Sequence, residues 1–414
     1  MKFPFVVVPE LTDRQLERYH RHVDSDESGW HRRFTESIWR RHQHPSNAGL
    51  SGWQSDADRK KRLIHFYDEY GVEGRDFVLR NAYLHLVLGL PAEHVAEYRA
   101  AILSGLLEGG WRREARETER LDDGFSERWR RGDLIAVLRS HRVHPEDRAR
   151  APEHLPPAAY ESLDVVVRSD GYALPADWER RPWEVFYRVG LRKKLARVEP
   201  RQVGAAELAA HLPAQVELGC GPSIEAGIPH LSTLHRIYGV SHADYGFIFR
   251  AADDGLLTLF RDPEGKFREM TDIYRACLVA TPTPFYRRLL DLWRRGQLVG
   301  PVITNNFDCQ CADLGLPEIS LRRYDWGPYY PHVEYDPRAR ALLVIGVHAD
   351  RRLVQLRARA RGLRVLYIDP EAYVGPDGRA IPYPVEAPQA DDLFVRATAH
   401  DAFEILHREL TPGG

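Results

Sequence analysis

One stretch constrains the folding of this chain more than any other: a short apolar run that ends in closely spaced glycines. It reads Val216-Glu-Leu-Gly-Cys-Gly-Pro-Ser-Ile-Glu-Ala-Gly-Ile-Pro-His-Leu-Ser232. Gly219 and Gly221 follow the apolar residues, and a strand that turns tightly at such glycines can direct backbone N–H groups toward a phosphate. Glycine pairs also mark ordinary turns, so the pair alone leaves both interpretations open.

The residues after the glycine pair extend the pattern to Gly-x-Gly-x-Ser-x-Glu-x-Gly-Ile-Pro. This pattern resembles the first signature of the sirtuin (Sir2) family, in which the loop holds the diphosphate of NAD. The matching positions are Gly219, Gly221, Ser223, Glu225, Gly227, Ile228 and Pro229. The resemblance implies that this loop, with Cys220 inside it, binds NAD.

A second signature, Thr304-Asn305-Asn306-Phe307-Asp308, follows a predicted strand. Ligands bind at the carboxyl ends of strands in open α/β sheets. The segment resembles the family's Thr-Gln-Asn-Ile-Asp. The resemblance implies that Asn306 positions the nicotinamide ribose and the attacking water or acceptor, and that Asp308 binds near the nicotinamide amide. The alternative interpretation of Asn-Asn is a turn.

Two later segments follow in the order of the family. Gly346-Val347-His348 resembles its Gly-Thr-Ser turn, and the strand that ends at Asp369 resembles one that ends in Ile-Asn. We expect the Asp369 carboxylate to bind the adenosine ribose hydroxyls, as acidic residues do in other dinucleotide sites. The alternative is that Asp369 caps the turn into Pro370. The resemblance covers residues 205–410 and none of the N-terminal half.

The chain departs from the family at the catalytic histidine, which in sirtuin deacylases precedes a glycine beyond the signature asparagine. The corresponding window reads Leu-Arg-Arg-Tyr-Asp at residues 321–325 and contains no histidine. That base helps a ribose hydroxyl attack the acyl-derived imidate, so its loss puts ordinary deacylation in doubt. Our preferred substitute is His348, because the turn it occupies faces the cofactor in the family. The other candidates are Tyr324, Asp325 and His332.

The zinc ribbon of the family is also missing. Cys309-x-Cys311 has no second cysteine pair, and the pair His20-x-His22 lacks a partner at ligand spacing. We therefore predict no metal site. The chain has four cysteines, which suit a reducing compartment better than a disulfide framework.

Composition limits the partners. The chain carries 58 basic and 60 acidic residues, with a net charge of −2. No global field therefore attracts nucleic acid or an anionic membrane. No apolar segment approaches the roughly 20 residues that cross a bilayer, and the N-terminus lacks the apolar core of a signal peptide. These features predict a cytoplasmic protein without nucleic-acid or membrane partners.

The length of 414 residues predicts more than one domain. Residues 205–414 alternate apolar runs with helical segments, which predicts an α/β domain built on a doubly wound parallel sheet. The resemblance to sirtuins implies that this domain is of the sirtuin-like, Rossmann type. Strands are expected at residues 216–218, 301–304, 341–345, 364–368 and 394–396, and helices at 205–212, 285–295, 353–361 and 400–410.

Residues 1–150 are predicted to form a mainly helical domain of unknown role. Thr12 is expected to cap a first helix. The dense apolar run from Arg75 to Leu88 suggests a buried helix, a further helix follows Pro91, and Asp133 is expected to cap a shorter one. Residues 151–204 are predicted to be a linker and a bridging segment, with a strand at 164–168 and a helix at 178–196.

The resemblance implies an NAD-consuming enzyme that cleaves the bond between nicotinamide and ribose and transfers the ADP-ribosyl group to water, to a small molecule or to an acyl acceptor. Its partners are NAD and an unidentified second substrate. Two alternatives stay open. The first is a sensor or effector that binds NAD or ADP-ribose without turnover, and the second is a protein deacylase with an atypical base.

Overall fold

The computed structural model describes residues 1–23, 34–40, 61–114, 124–142, 160–171, 200–229, 233, 237, 251, 254–304, 306, 308–320, 333–347, 354–370, 373–374, 380–381 and 391–411. The structure contains two large sheets. The first has eight strands from the N-terminal half, and the second has seven strands, which come from residues 201–395.

The strands of the first sheet pair in the order β2-β3-β4-β8-β7-β6-β5, and β1 pairs with β4 as well. All of its pairings are antiparallel. The strands are β1 (Phe5–Val8), β2 (Phe34–Arg40), β3 (Lys61–Glu73), β4 (Asp76–Pro91), β5 (Arg112–Arg113), β6 (Gly124–Arg131), β7 (Leu134–Arg142) and β8 (Tyr160–Ser169).

Eight α-helices are assigned within the described residues. They are α1 (Asp13–Arg18), α2 (Ala92–Glu108), α3 (Thr258–Arg261), α4 (Pro263–Val279), α5 (Pro284–Arg294), α6 (Gln310–Asp313), α7 (Val354–Ala360) and α8 (Ala399–Glu409). A π-helical turn, Tyr19–Val23, continues α1, and 3-10 turns span Ala205–His211, Gly221–Ala226 and Gly255–Leu257.

The prediction of a mainly helical N-terminal domain is wrong for the described residues. The run predicted as a buried helix from Arg75 is strand β4, which Gly74, at φ +64°, connects to β3 in a tight hairpin. A strand buried on both faces and a buried helix show the same dense apolar run, so periodicity does not separate them. Asp133 likewise precedes strand β7 and not a helix.

Two N-terminal helices were predicted correctly. Thr12 caps α1 through a capping box with Gln15. The helix after Pro91 is α2, which ends before Gly109, and Gly110 adopts φ +74° in the following turn.

The strand predicted at residues 164–168 is confirmed as part of β8, which lies between β4 and β7. The N-terminal sheet therefore extends to residue 169, into the segment that we assigned to the linker. The Pro-rich part of that linker and the predicted helix at 178–196 lie outside the described residues.

The second sheet is parallel throughout, with the strand order β12-β11-β10-β13-β14-β17-β9. Its strands are β9 (Arg201–Gln202), β10 (Ala214–Leu218), β11 (Val302–Thr304), β12 (Glu318–Ser320), β13 (Ala341–Ile345), β14 (Arg364–Ile368) and β17 (Leu393–Val395). A small hairpin of β15 (Tyr373–Val374) and β16 (Ala380–Ile381) stands apart. Counted from β10, the order is the 3-2-1-4-5-6 arrangement of dinucleotide-binding folds, with β9 added at the edge.

Helices cover both faces of this sheet, as the doubly wound prediction requires. Leu343 and Ile345 of β13 pack with α5 and α8 on one face, and Leu342 and Val344 pack with α7 on the other. This alternation follows from the two-residue period of a strand. From β10 the chain adds β11 and β12 on one side, and it then adds β13, β14 and β17 on the other side. This change creates a topological switch point at the carboxyl ends of β10 and β13.

Helix α4 joins the two halves of the chain through a common core. Phe267 and Met270 of α4 belong to the same buried cluster as Leu84 of β4. The rings of Tyr70 and Tyr274 lie 4.5 Å apart across this contact. The helical layer before α5 therefore packs against the N-terminal sheet. Among the described residues, none of the helices has the length and apolar character needed to span a bilayer.

Candidate active site

Two glycine turns meet at the switch point. The Gly219 N–H donates to the Ile345 carbonyl at 2.8 Å, and a Cβ on Gly219 would lie 2.1 Å from the Gly346 oxygen. Gly346 has φ +59°, a left-handed conformation that favours glycine, and its own Cβ would lie 3.1 Å from Gly221 Cα. The two loops therefore contact each other backbone to backbone, which larger residues would prevent.

The second signature is attached to the first by hydrogen bonds. Thr304 Oγ1 donates to the Leu218 carbonyl at 2.9 Å and accepts the Asn306 N–H at 2.9 Å. Asn306 Nδ2 donates to the Gly219 carbonyl at 2.7 Å. The signature asparagine thus holds the glycine loop through its side-chain amide. Residues 305 and 307 of this signature lie outside the described residues.

Asp308 is the centre of a buried polar network. Its Oδ2 accepts hydrogen bonds from the hydroxyls of Ser223 and Tyr286, the latter at 3.4 Å, and its Oδ1 accepts the Gln310 N–H at 3.0 Å. The two hydroxyls also bond to each other at 2.8 Å. Ser223 and Tyr286 are fully buried, and Asp308 is 6% exposed. Ser223 and Asp308 come from the two signatures, so the fold brings these predicted residues into direct contact.

Tyr286 was not identified from the sequence. It lies in α5, outside both signatures, and no local pattern distinguishes it from a core aromatic. Burial, together with the negative charge of Asp308, raises the pKa of Tyr286 well above its usual 10.0. The phenol therefore stays protonated at neutral pH and can donate to the carboxylate.

Gln310 was also missed. It lies two residues after Asp308 and is fully buried, yet neither its side-chain oxygen nor its side-chain nitrogen has a hydrogen-bond partner among the described residues. Buried polar groups are almost always satisfied, so an unpaired amide beside a site points to a missing ligand or water. Its position near the signature aspartate was the only sequence signal for it.

Arg18 reaches this region from the N-terminal half and is 8% exposed. Its guanidinium donates to the Asp308 carbonyl at 2.7 Å and pairs with the Asp313 carboxylate at 2.9 Å. It also donates to the carbonyls of Leu278 and Ala280 at 3.1 and 2.5 Å. No sequence signal identified Arg18.

The other predicted residues of the glycine loop have structural roles or face solvent. Glu225 is exposed and lies 3.6 Å from His400 of α8, away from the Asp308 network. Gly227 ends the 3-10 turn at φ +82°, Ile228 is buried in the core, and Pro229 is partly buried.

Cys220 is half-buried at the start of the same turn. At the ends of the next strands, Val347 packs beside the second face of the sheet, and Asp369 is 5% exposed after β14. The Asp369 N–H donates to the Val395 carbonyl at 3.2 Å. His348, our preferred base, lies outside the described residues, as do Tyr324, Asp325 and His332.

Cys311 lies close to the site and is buried. Within the described part of the chain, no cluster of histidine, cysteine and carboxylate side chains is arranged to hold a metal ion. Burial, followed by the charges of Glu318 and Asp308, raises the pKa of the Cys311 thiol. This thiol therefore stays protonated and weakly nucleophilic.

Comparison with known proteins gives a structural likeness only. No protein-family profile matches the chain, and no curated protein sequence matches it. Among solved structures, a Sir2 homologue mutant in complex with ADP-ribose is similar over 50% of this chain and 98% of that chain, at 16% identity and a TM-score of 0.31. A Sir2 protein bound to a propionylated peptide is similar over 49% of this chain and 95% of that chain, at 14% identity and a TM-score of 0.30. The α/β fold itself follows from the strand order and registers, not from this likeness.

Proposed function

We propose that this chain binds NAD at the carboxyl edge of its parallel sheet and cleaves the bond between nicotinamide and ribose. The observation that carries the proposal is the joining of the two signatures: Asn306 bonds to Gly219, and Asp308 bonds to Ser223, at the switch point of the sheet. Dinucleotides bind at such switch points. Ser223, Asn306 and Asp308 occupy matching positions in the two signatures that the sequence shares with sirtuins.

The residues present suit a dinucleotide. Gly219, Gly221 and Gly346 let two loops pack backbone to backbone at the switch point. Glycine loops at such points bind the diphosphate of dinucleotides. The side-chain amide of Gln310 offers an NH₂ group as donor and a carbonyl oxygen as acceptor, which complement the oxygen and the NH₂ of a carboxamide such as that of nicotinamide. NAD supplies a glycosidic bond whose cleavage releases nicotinamide. In the proposal Asp308 and Gln310 bind the leaving amide, and Asn306 orients the ribose and the acceptor.

The acceptor of the ADP-ribosyl group is proposed to be water, a small molecule or an acyl group. An acceptor oxygen bonds to the anomeric carbon as the bond to nicotinamide breaks. When the acceptor is water or a hydroxyl compound, its proton passes to a base. An acyl oxygen carries no proton, and in that case the base takes the proton of the ribose hydroxyl that attacks the acyl-derived imidate. We propose His348 for that base, on the strength of its place after Gly346 and Val347. We expect the protein to accelerate the reaction mainly by holding the acceptor and the base in the reactive geometry and by accepting the proton.

The test is to incubate the purified chain with NAD and to follow free nicotinamide by chromatography. Asn306→Ala removes the amide that bonds to Gly219, and we expect it to lower nicotinamide release at least about 100-fold. The matched control is Asn81→Ala, which removes another partly buried amide, bonded to Glu69 at 2.7 Å in the N-terminal sheet. The control variant should release nicotinamide like the wild type.

Two other outcomes separate the alternatives. Binding of NAD or ADP-ribose in a calorimeter, without nicotinamide release in the presence of candidate acceptors, would favour the sensor hypothesis. If the wild type bound neither nucleotide, the proposal would be wrong.

A further inference from the structure

The N-terminal half of the chain contributes one buried cation to the surroundings of the candidate site. Arg18 is the last residue of α1, and all four of its described contacts are with residues 278–313, far away in the sequence. Burying an arginine has a large desolvation cost, which hydrogen bonds and ion pairs must offset. These four contacts therefore keep Arg18 in its buried position.

Contacts with the N-terminal sheet hold helix α1, and therefore Arg18, in position. The loop between β3 and β4 presents Arg75, whose carbonyl accepts the Leu11 N–H at 2.7 Å and whose guanidinium bonds to Asp13 at 2.7 Å. After Arg18, the ring of Tyr19 packs edge-on against Phe77 of β4, with 6.0 Å between centroids. Helix α1 is therefore anchored to the sheet at both ends.

Arg18 in turn holds two segments of the C-terminal half. Its bonds to the Leu278 and Ala280 carbonyls satisfy acceptors at the C-terminal end of α4, where a cation is favourable. Its bonds to the Asp308 carbonyl and the Asp313 carboxylate hold both ends of the turn that contains α6. The planar fork of an arginine suits such simultaneous contacts, which a lysine reproduces poorly.

Asp308 is consequently held on two sides. Its backbone carbonyl bonds to Arg18 from the N-terminal half, and its carboxylate bonds to Ser223 of the glycine loop. The next residue, Cys309, has φ +58°, a left-handed conformation that is unfavourable for residues other than glycine. The contacts around this turn must hold it in place, and Arg18 makes two of them.

We propose that Arg18 is a positioning residue through which the N-terminal half sets the geometry of Asp308, so that the nicotinamide side of the site forms only when α1 is docked. This inference rests on the proposed function for its ligand. The N-terminal half would then support the side of the site that binds the leaving amide, and the glycine loop alone would serve the ADP-ribose side.

The experiment compares two ligands in the full chain by calorimetry: ADP-ribose, and carbocyclic NAD, which retains nicotinamide but resists cleavage. In Arg18→Lys we expect affinity for carbocyclic NAD to fall about 10-fold, because charge-assisted bonds that orient Asp308 are lost. Affinity for ADP-ribose should change by less than about 2-fold. Asp313→Asn, which removes the charge that pairs with Arg18, should shift the same ratio in the same direction by a smaller factor. It replaces Arg18→Lys in the comparison if that variant does not fold.

The matched control is Arg359→Lys. Arg359 forms a similarly buried pair with Asp392, in which its Nε and Nη2 donate to the carboxylate at 3.1 and 2.5 Å. Asp392 precedes β17, so this pair lies at the opposite edge of the sheet. A merely structural loss should lower stability in both variants, but only the change at Arg18 should alter the ratio of the two affinities. Equal loss of both affinities in Arg18→Lys, or no change in either, would overturn the inference.

A second measurement needs no ligand and separates this inference from the proposed function. The backbone N–H of Gln310 donates to the Asp308 carboxylate, and the backbone N–H of Asp313 donates to the Cys309 carbonyl. In Arg18→Lys these amides should exchange hydrogen about 10-fold faster than in Arg359→Lys, because the turn loses its support. If the wild type bound neither nucleotide, the proposed function would fail. Unchanged exchange would then refute the positioning role independently.

Discussion

Replacing Gln310 by methionine should make the ligand-free protein more stable and at the same time weaken its binding of NAD. The Gln310 side chain is fully buried, and both polar atoms of its amide lack partners. Methionine has a similar unbranched shape and carries no strong hydrogen-bonding group. The substitution therefore removes an unsatisfied polar group and keeps most of the packing.

The expected gain follows from the cost of such a group. An unsatisfied buried donor or acceptor costs about 1–3 kcal/mol, and replacing it with an apolar group of the same shape recovers part of this. A gain of 1 kcal/mol raises the melting temperature of a domain of this size by roughly 2–4 °C. We therefore expect Gln310→Met to melt at least about 2 °C higher than the wild type without ligand.

The assay is thermal unfolding of the ligand-free protein, followed by calorimetric titration with carbocyclic NAD and with ADP-ribose. The control is Gln215→Met, at another fully buried glutamine. The Gln215 side chain donates to the carbonyls of Pro301 and Glu334 at 2.9 and 3.2 Å and accepts the Asp336 N–H at 2.9 Å. Its loss should cost about 2–4 kcal/mol, since the partners are left unpaired.

A ligand-binding amide at Gln310 would be supported by two results together. Gln310→Met should raise thermal stability while Gln215→Met lowers it, and only Gln310→Met should reduce the affinity for carbocyclic NAD. A loss of stability in Gln310→Met comparable to that in Gln215→Met would refute the reasoning, because Gln310 would then have partners in the ligand-free fold. A stabilised variant with unchanged affinity would show that the amide does not serve the nucleotide.

Two further predictions concern the loops and the N-terminal sheet. Gly219→Ala would place a Cβ 2.1 Å from the Gly346 oxygen and should cost about 1–3 kcal/mol and abolish ADP-ribose binding, whereas Gly204→Ala, whose Cβ meets nothing within 4 Å, should be nearly neutral. Burial raises the pKa of Asp68 from 3.8 to about 7, against a smaller opposing effect of its bond to Tyr70. The folded state therefore binds this proton more tightly, and stability should decrease as pH rises from about 4 to 7, by up to about 4 kcal/mol at 1.36 kcal/mol per pKa unit. Asp68→Asn should flatten that dependence in urea unfolding measured across the range, and an unchanged slope would contradict the assignment.

The sequence predicted the five central strands of the C-terminal sheet well because they are short and almost fully buried. It missed the edge strands β9 and β12, which are exposed or only partly buried. The expected strands at Ala341–Ile345 and Arg364–Ile368 have the observed bounds. Tight turns with close backbone contact after such runs require glycine. The turns at Gly219 and Gly346 could therefore be predicted from the sequence. The expected catalytic centre at Asn306 and Asp308 remains a proposal, although the fold brings both beside the glycine loop.

The N-terminal half was misjudged for a physical reason. Strand β4 is flanked by other strands and covered by helices, and the consecutive residues Phe77, Val78 and Leu79 are all buried. A strand in that position loses the polar alternation that marks a half-exposed strand, so its apolar density resembles that of a buried helix. Only the pairing of β4 with β3, β8 and β1 distinguishes the two.

The sequence by itself determined the strand-and-glycine pattern of the parallel sheet and the residues that stand at its carboxyl edge, because these depend on local burial and on backbone freedom. Tertiary structure alone decided which side chains surround Asp308. Tyr286 comes from a helix that precedes it, and Arg18 lies 290 residues earlier in the chain. Their contacts depend on how α1, α4 and α5 pack together, and no local pattern records that packing.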